Sequence, residues 1–248
     1  MAAGDIPGPG ASGGAARRFP GAERGMAALE FALVMPILAA ILLMGSQVVL
    51  YVNATRKVGQ VARSISQMIS QAVPPSNSST ATVNATDLHF SFDATLVIFP
   101  FVMTDARRQG MAWWTDISIN FSSIVFTPVT GSTCNNPTDQ SACYLATVAW
   151  TSTGTAQPGG ANYRPCVTPQ LAAANNAAPS RTSLPRSVFG PASLIVIDVV
   201  FTFTPTFASA FLPPLRIARS AYVQPRYATF VNYDTTGSDG IASKCPGF

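Results

Sequence analysis

Between Phe31 and Val52 lie 22 consecutive residues without a single charge. No other feature constrains this 248-residue chain as tightly. As an α-helix rising about 1.5 Å per residue, the run spans about 33 Å, close to the thickness of a hydrocarbon core. The apolar core of a cleaved signal peptide is shorter, about 7–15 residues, so the run reads as an anchor. Pro36 lies inside it and is expected to kink the helix, because proline removes a backbone donor and crowds the preceding turn. One carboxylate, Glu30, stands immediately before the run. Taken into the bilayer it costs on the order of a few kcal/mol, whereas at headgroup level it costs little. Arg17, Arg18 and Arg24 precede the run and Arg56, Lys57 and Arg63 follow it, so the positive-inside comparison nearly ties.

Beyond Val52 the helical pattern continues with a different face. Val58, Val61, Ala62, Ile65, Met68, Ile69 and Ala72 follow i, i+3, i+4, i+7 spacing, opposite Arg56, Lys57, Gln60, Arg63, Gln67 and Gln71. Pro74-Pro75 ends the pattern. The spacing predicts one helix over 26–73, about 70 Å long if continuous, apolar all round in its first half and amphipathic in its second. The second half is expected to pack on a globular domain.

Residues 1–25, rich in Gly, Ala and Pro, read as a disordered leader, and the Ser/Thr/Asn-rich residues 74–86 as a linker. The remainder, 87–248, is large enough for a core. Period-two alternation marks its strands: Ile117, Ile119 and Phe121; Ala146, Val148 and Trp150; and Ile195, Ile197, Val199, Phe201 and Phe203. Leu215, Ile217, Ala221 and Val223 suggest a partner for the last of these, interrupted by Arg219. After Phe121 the apolar phase flips to Ile124 and Phe126, which predicts a bulge at Ser122-Ser123. Leu96 to Phe101 reads as a further short strand, and Thr153 to Ser187 as a long surface loop pinned by Cys166. The expected fold class is α+β: a long N-terminal transmembrane and amphipathic helix followed by a β-rich, antiparallel, disulfide-bonded domain.

All four cysteines, Cys134, Cys143, Cys166 and Cys245, follow the apolar run. An even count in an exported domain points to two disulfides, with three pairings open; Cys134–Cys143 and Cys166–Cys245 are the favoured pair. Cysteines and a short leader together place the N-terminus in the cytoplasm and the domain outside. Charged residues make up 10 % of the chain, and the net charge of +4 reflects a shortage of acids, so nucleic acid is not an expected partner. No catalytic set, metal site or cofactor is expected: His89 is the sole histidine, there is no C-x-x-C, and no glycine-rich phosphate loop follows a strand. Trp113-Trp114 is a possible contact patch, since paired tryptophans cannot share one side of a strand. The plainer expectation buries one and lays the other over a sheet edge.

Gly25, four residues, Glu30 and Phe31, then an apolar helix, resembles the prepilin-peptidase site of type IVb pilins and pseudopilins. The wider segment Arg24-Gly-Met-Ala-Ala-Leu-Glu-Phe-Ala-Leu-Val-Met-Pro36 is similar to the TadE/TadG-like pilus-assembly family of tight-adherence systems. A weaker similarity covers Ile195 to Thr204 and Arg216 to Tyr222. The resemblance implies cleavage between Gly25 and Met26, with Glu30 pairing with the new α-amine of a neighbouring subunit. It implies a pilin-like stem, a bacterial inner-membrane location with a periplasmic head, and association with the pilus. The implied partners are the membrane, other pilin or pseudopilin subunits, the tight-adherence machinery and a prepilin peptidase. The large head separates the chain from bulk fibre subunits and points to a minor pseudopilin or assembly factor. A permanently anchored periplasmic binding or adhesion module is the rival reading.

Overall fold

A computed structural model of the chain describes residues 22–132, 136–154, 164–207 and 212–248. Helix α1 spans Ala22–Ser70 with Pro36 inside it. The chain divides into two compact units, the first ending at Ser46 and the second running from Gln47 to Phe248.

The second unit is built on a five-stranded antiparallel sheet. Its strands are β2 (Ile117–Pro128), β3 (Tyr144–Ser152), β6 (Leu194–Phe203), β7 (Leu215–Val223) and β9 (Ala242–Lys244), in the order β7-β6-β2-β3-β9. Two short parallel pairs accompany it: β1 (Thr80–Val83) with β8 (Phe230–Tyr233), and β4 (Leu171–Ala173) with β5 (Ser183–Pro185). Three helices follow β1: α2 (Ala85–Ile98), α3 (Phe101–Gln109) and the single turn α4 (Trp113–Asp116).

Both faces of the sheet are covered. One face carries Ile119 and Phe121 of β2, the whole Ile195-to-Phe203 row of β6, and Ile217 of β7. It packs in one cluster with Ala54, Val58, Val61, Ala62, Ile65 and Ile69 of α1 and with Leu88, Phe92 and Phe99. The other face carries Ile124, Phe126, Ala146, Leu194 and Val196, under Leu184 and Phe189. Each fully buried Ile, Val or Phe contributes about 1.5–3 kcal/mol, so the amphipathic half of α1 is a structural element of this unit.

The phase flip in β2 has a cause other than the expected bulge at Ser122-Ser123. Pairing between β2 and β6 runs from Ile117 to Ile124 without a slip, so Ile124 and Phe126 point to the second core. The irregularity lies in the β2–β3 pairing, where Ser123 opposes Trp150 and Ile124 opposes Val148. The extra residue is therefore Ala149 on β3.

Three further expectations change. Leu96 to Phe101 holds no strand: it is the end of α2, a break at Phe99-Pro100 and the first residue of α3. Asn84 and Asp87 form a reciprocal capping box that starts α2, while Pro100 and left-handed Gly110 bracket α3. The segment 74–86 holds β1, whose ladder with β8 places segments about 150 residues apart in sequence side by side. The segment 153–187, apart from residues 155–163, which lie outside the described residues, is partly regular. It carries β4, β5 and a 3-10 turn at Arg186–Val188.

Cys166 and Cys245 are bonded, with their Cα atoms 5.1 Å apart. Cys143 is also disulfide-bonded, and Cys134 lies outside the described residues.

Candidate functional site

From Met26 to Met44, every side chain described on α1 is exposed. Leu29, Phe31, Leu33, Leu38, Ile41 and Leu42 all stand open, Phe31 at 66 % and Leu42 at 71 %. An exposed apolar surface of this extent is far beyond what a water-facing helix carries, and it calls for lipid or protein around it. By length and composition the helix from Ala28 onward is long and apolar enough to cross a membrane. Glu30 is exposed on this stretch and forms no ion pair among the described residues. The Gly25–Met26 peptide bond lies within the first turns of α1, which begins at Ala22. Phe31 and Pro36 follow on the same exposed stretch.

Within the second unit, α1 is tied in by specific contacts. Tyr51 meets Phe203 edge to face, with ring centroids 5.7 Å apart. The last helical carbonyl, that of Ser70, accepts from the Arg226 amide at 2.9 Å, satisfying a group that helix ends leave open. Gln47 is buried, and its Oε1 accepts from the Thr206 amide at 2.9 Å.

The polar clusters of the head are structural in their geometry. Arg164, fully buried in a left-handed backbone conformation, donates to Asp198 at 2.7 and 2.9 Å and to Gln170 Oε1 at 2.7 Å. Ser220 also donates to Asp198, and the Tyr222 ring lies 6.0 Å from the guanidinium carbon. A second cluster joins Asp105, Arg108, Gln109 and Asp116. Arg108 pairs with Asp105 and donates to the Thr204 and Pro205 carbonyls, and Thr204 donates to Gln109. Burial, reinforced by the neighbouring Asp105 carboxylate, pushes the Asp116 carboxyl up to about 7. His89 lies 2.6 Å from Asp239 in a partly exposed pair that holds the Asp239 carboxyl below its usual range.

Trp113 stacks on Phe92 at 4.9 Å, and Trp114 meets it edge to face while remaining 45 % exposed. Their backbone is the helical turn α4, not a strand, so turn geometry separates the two rings. Among the described residues no group of three or more His, Cys, Asp or Glu is placed to hold a metal ion. A groove lined by Met68, Ala72, Val83 and Phe90 presents Asp87 and Ser91, but Asp87 is already engaged in the α2 capping box.

Sequence reasoning singled out Glu30 and the apolar run. It did not find the Arg164–Asp198 pair, because nothing local in the sequence connects a loop arginine to a strand aspartate 34 residues later. It also passed over Gln47, the one amide inside the apolar run.

Residues 25–66 match the family described as TadE-like protein. This chain therefore carries a TadE-like segment, which takes in Glu30, the exposed apolar stretch and most of the covered stripe. Comparisons with curated proteins and with solved structures return no significant match.

Proposed function

We propose that the chain acts in the assembly of a tight-adherence pilus, as a minor pseudopilin-like subunit or membrane-anchored factor that works through helix packing and subunit contacts. One observation carries the reading. The TadE-like segment holds both an uncovered apolar helix surface bearing Glu30 and an adjoining stripe that belongs to a folded head. A helix so divided suits a molecule whose outer half is completed by lipid first and by neighbouring helices later. A carboxylate among such helices is tolerated when paired and costly when alone, which favours the α-amine of a neighbouring subunit as its partner. In this reading Gly25 is the cleavage residue, Met26 the mature N-terminus and Glu30 the assembly carboxylate. The N-terminus lies in the cytoplasm and the disulfide-bonded head in the periplasm, with contact among subunits and no chemistry performed by the chain itself.

The N-terminal sequence of the protein from its native membrane tests this. A start at Met26, lost in Gly25→Val and in cells lacking the prepilin peptidase, is the expected result. An intact leader, with the protein absent from sheared pilus fractions, makes it a permanently anchored module and reduces Glu30 to an interfacial residue.

A further inference from the structure

The main sheet ends on two unequal edges. At one side β9 is three residues long, Ala242–Lys244, and a short strand is a common way to blunt an edge. At the other side β7 runs for nine residues, Leu215–Val223, and pairs only with β6. Beyond that pairing, its backbone bonds to no other backbone segment among the described residues. Alternate residues of an edge strand turn N–H and C=O away from the sheet, so β7 presents a row of donors and acceptors.

The charge along this edge has one sign. From Gln140 to Tyr233 the sequence holds six arginines and a single acid, Asp198, which is buried and committed to Arg164 and Ser220. Arg186 pairs with Asp139. Arg216 and Arg219 of β7 and Arg226 just beyond it are exposed and form no ion pair among the described residues. Within the sheet Arg216 lies opposite Thr202 and Arg219 opposite Val199, so neither has a carboxylate across the ladder. Being three residues apart on a strand, the two arginines project from opposite faces of the sheet. An open cavity of about 570 Å³ beside the start of β7, lined by Thr182, Arg181 and Arg216, has room for an acidic side chain. Directly opposed like charges are destabilising, so a second β7 is a poor match for this edge and a strand bearing carboxylates a good one.

We infer that the β7 edge is a strand-addition site for an extended acidic segment of a partner protein, which joins the sheet as a sixth strand. Main-chain bonds to β7 supply the attachment, and Arg216 and Arg219 supply the selection. Because directly opposed residues on neighbouring strands share a face, the partner needs two carboxylates three residues apart, one for each face. The inference stands on the head alone and holds whether or not the Gly25–Met26 bond is cut.

The test uses the full chain in detergent and a fluorescent, end-blocked peptide of valine and threonine carrying two aspartates three residues apart, with binding read by anisotropy. The peptide is expected to bind, and moving the aspartates to two residues apart should weaken it by about two- to fivefold, since both then share one face. N-methylation of alternate residues blocks one edge of the peptide: one of the two N-methyl isomers should keep binding and the other should lose roughly tenfold or more. Arg216→Glu combined with Arg219→Glu, its fold checked by circular dichroism, should release the peptide and take up the corresponding lysine peptide instead. No binding of the aspartate peptide overturns the inference, as does equal binding of both N-methyl isomers, which would mark a charged surface without strand pairing. Retention of the aspartate peptide by the charge-reversed variant overturns it too. Self-association of the full chain that the peptide competes away would assign the edge to a second copy and likewise overturn it.

Discussion

Two stretches of α1 both present apolar side chains but have opposite surroundings. From Met26 to Met44 the described side chains face outward on every side, whereas Ala54, Val58, Val61, Ala62, Ile65 and Ile69 disappear into the head. Apolarity alone does not distinguish them. The difference lies in what is interleaved: Arg56, Gln60, Arg63 and Gln67 occupy the outer face of the covered stretch, and nothing polar but Ser46 and Gln47 interrupts the run from Phe31. A single helix thus joins a segment that needs lipid or partner helices to a segment satisfied by its own fold.

The comparison breaks most sharply under an inserted charge. Ile65→Asp places a carboxylate in the core beside β6 and is expected to cost about 4–5 kcal/mol, enough to unfold the head in detergent. Leu42→Asp is expected to leave the unfolding midpoint within about 0.5 kcal/mol of the wild type, because the site is open. Instead it weakens membrane integration, by about 2.5–3.5 kcal/mol on an insertion scale. Circular dichroism melts and carbonate extraction of membranes measure the two effects, and equal melting losses at both sites would end the distinction.

The next largest effect belongs to the covered unit alone. The Cys166–Cys245 bridge spans 79 residues, and replacing both cysteines with serine is expected to cost about 4 kcal/mol in the chain-entropy account. Exchange of the Gly45 to Val49 amides should hardly change, while that of β9 should rise.

A smaller effect concerns Asp116. Its folded pKa is raised to about 7 from 3.8, so the folded state holds this proton more tightly than the unfolded chain does. Through this group, stability falls as pH rises from about 4 to about 7 and is level above. Asp116→Asn should flatten that slope and raise stability at pH 8 by about 1 kcal/mol or more, relieving a buried carboxylate with one unbonded oxygen. The lowered carboxylates of Asp139, Asp234 and Asp239 act in the opposite sense and at lower pH, losing their stabilisation as pH falls through their folded pKa values. Urea titrations across pH separate the two windows.

The smallest effect on folding, and the most telling for function, is expected at Glu30. Glu30→Gln should shift the unfolding midpoint by less than about 0.5 kcal/mol, since the side chain is exposed and unpaired among the described residues. Loss of the protein from pilus fractions alongside an unchanged melt would place the role of Glu30 between molecules. A large melting change would instead place it inside this one.

These contrasts track what was legible before the structure. The covered stripe from Val58 to Ile69 was readable because one face of a helix meets a core and the other meets water. Strands β6 and β7 were readable from their alternation. The helix α2 was not, because it carries apolar residues all round: Leu88 and Phe92 are buried, yet Phe90 and Val97 stand exposed. Its signal was the Asn84-to-Asp87 capping spacing, lost in a segment rich in Ser, Thr and Asn. In β2 the phase flip mimicked a bulge because both faces of the sheet are covered, so an apolar side chain could point either way. Of the candidate site, Glu30 and the apolar stretch were legible, while Gln47 and its loop were not. Their link is a contact across 159 residues.

The parallel pairing of β1 with β8, and the antiparallel pairing of β9 with β3, set an order of events. A chain made and exported from its N-terminus presents the stripe of α1 long before its cover exists. Val231, Tyr233, Ile241 and Ala242, all part of the cluster that buries Ile65, arrive last. Cys245, three residues after Ala242, arrives later still. The head thus cannot close on its stem until β8, β9 and Cys245 have followed, and a copy cut short before β8 would reach the membrane with its stripe still uncovered.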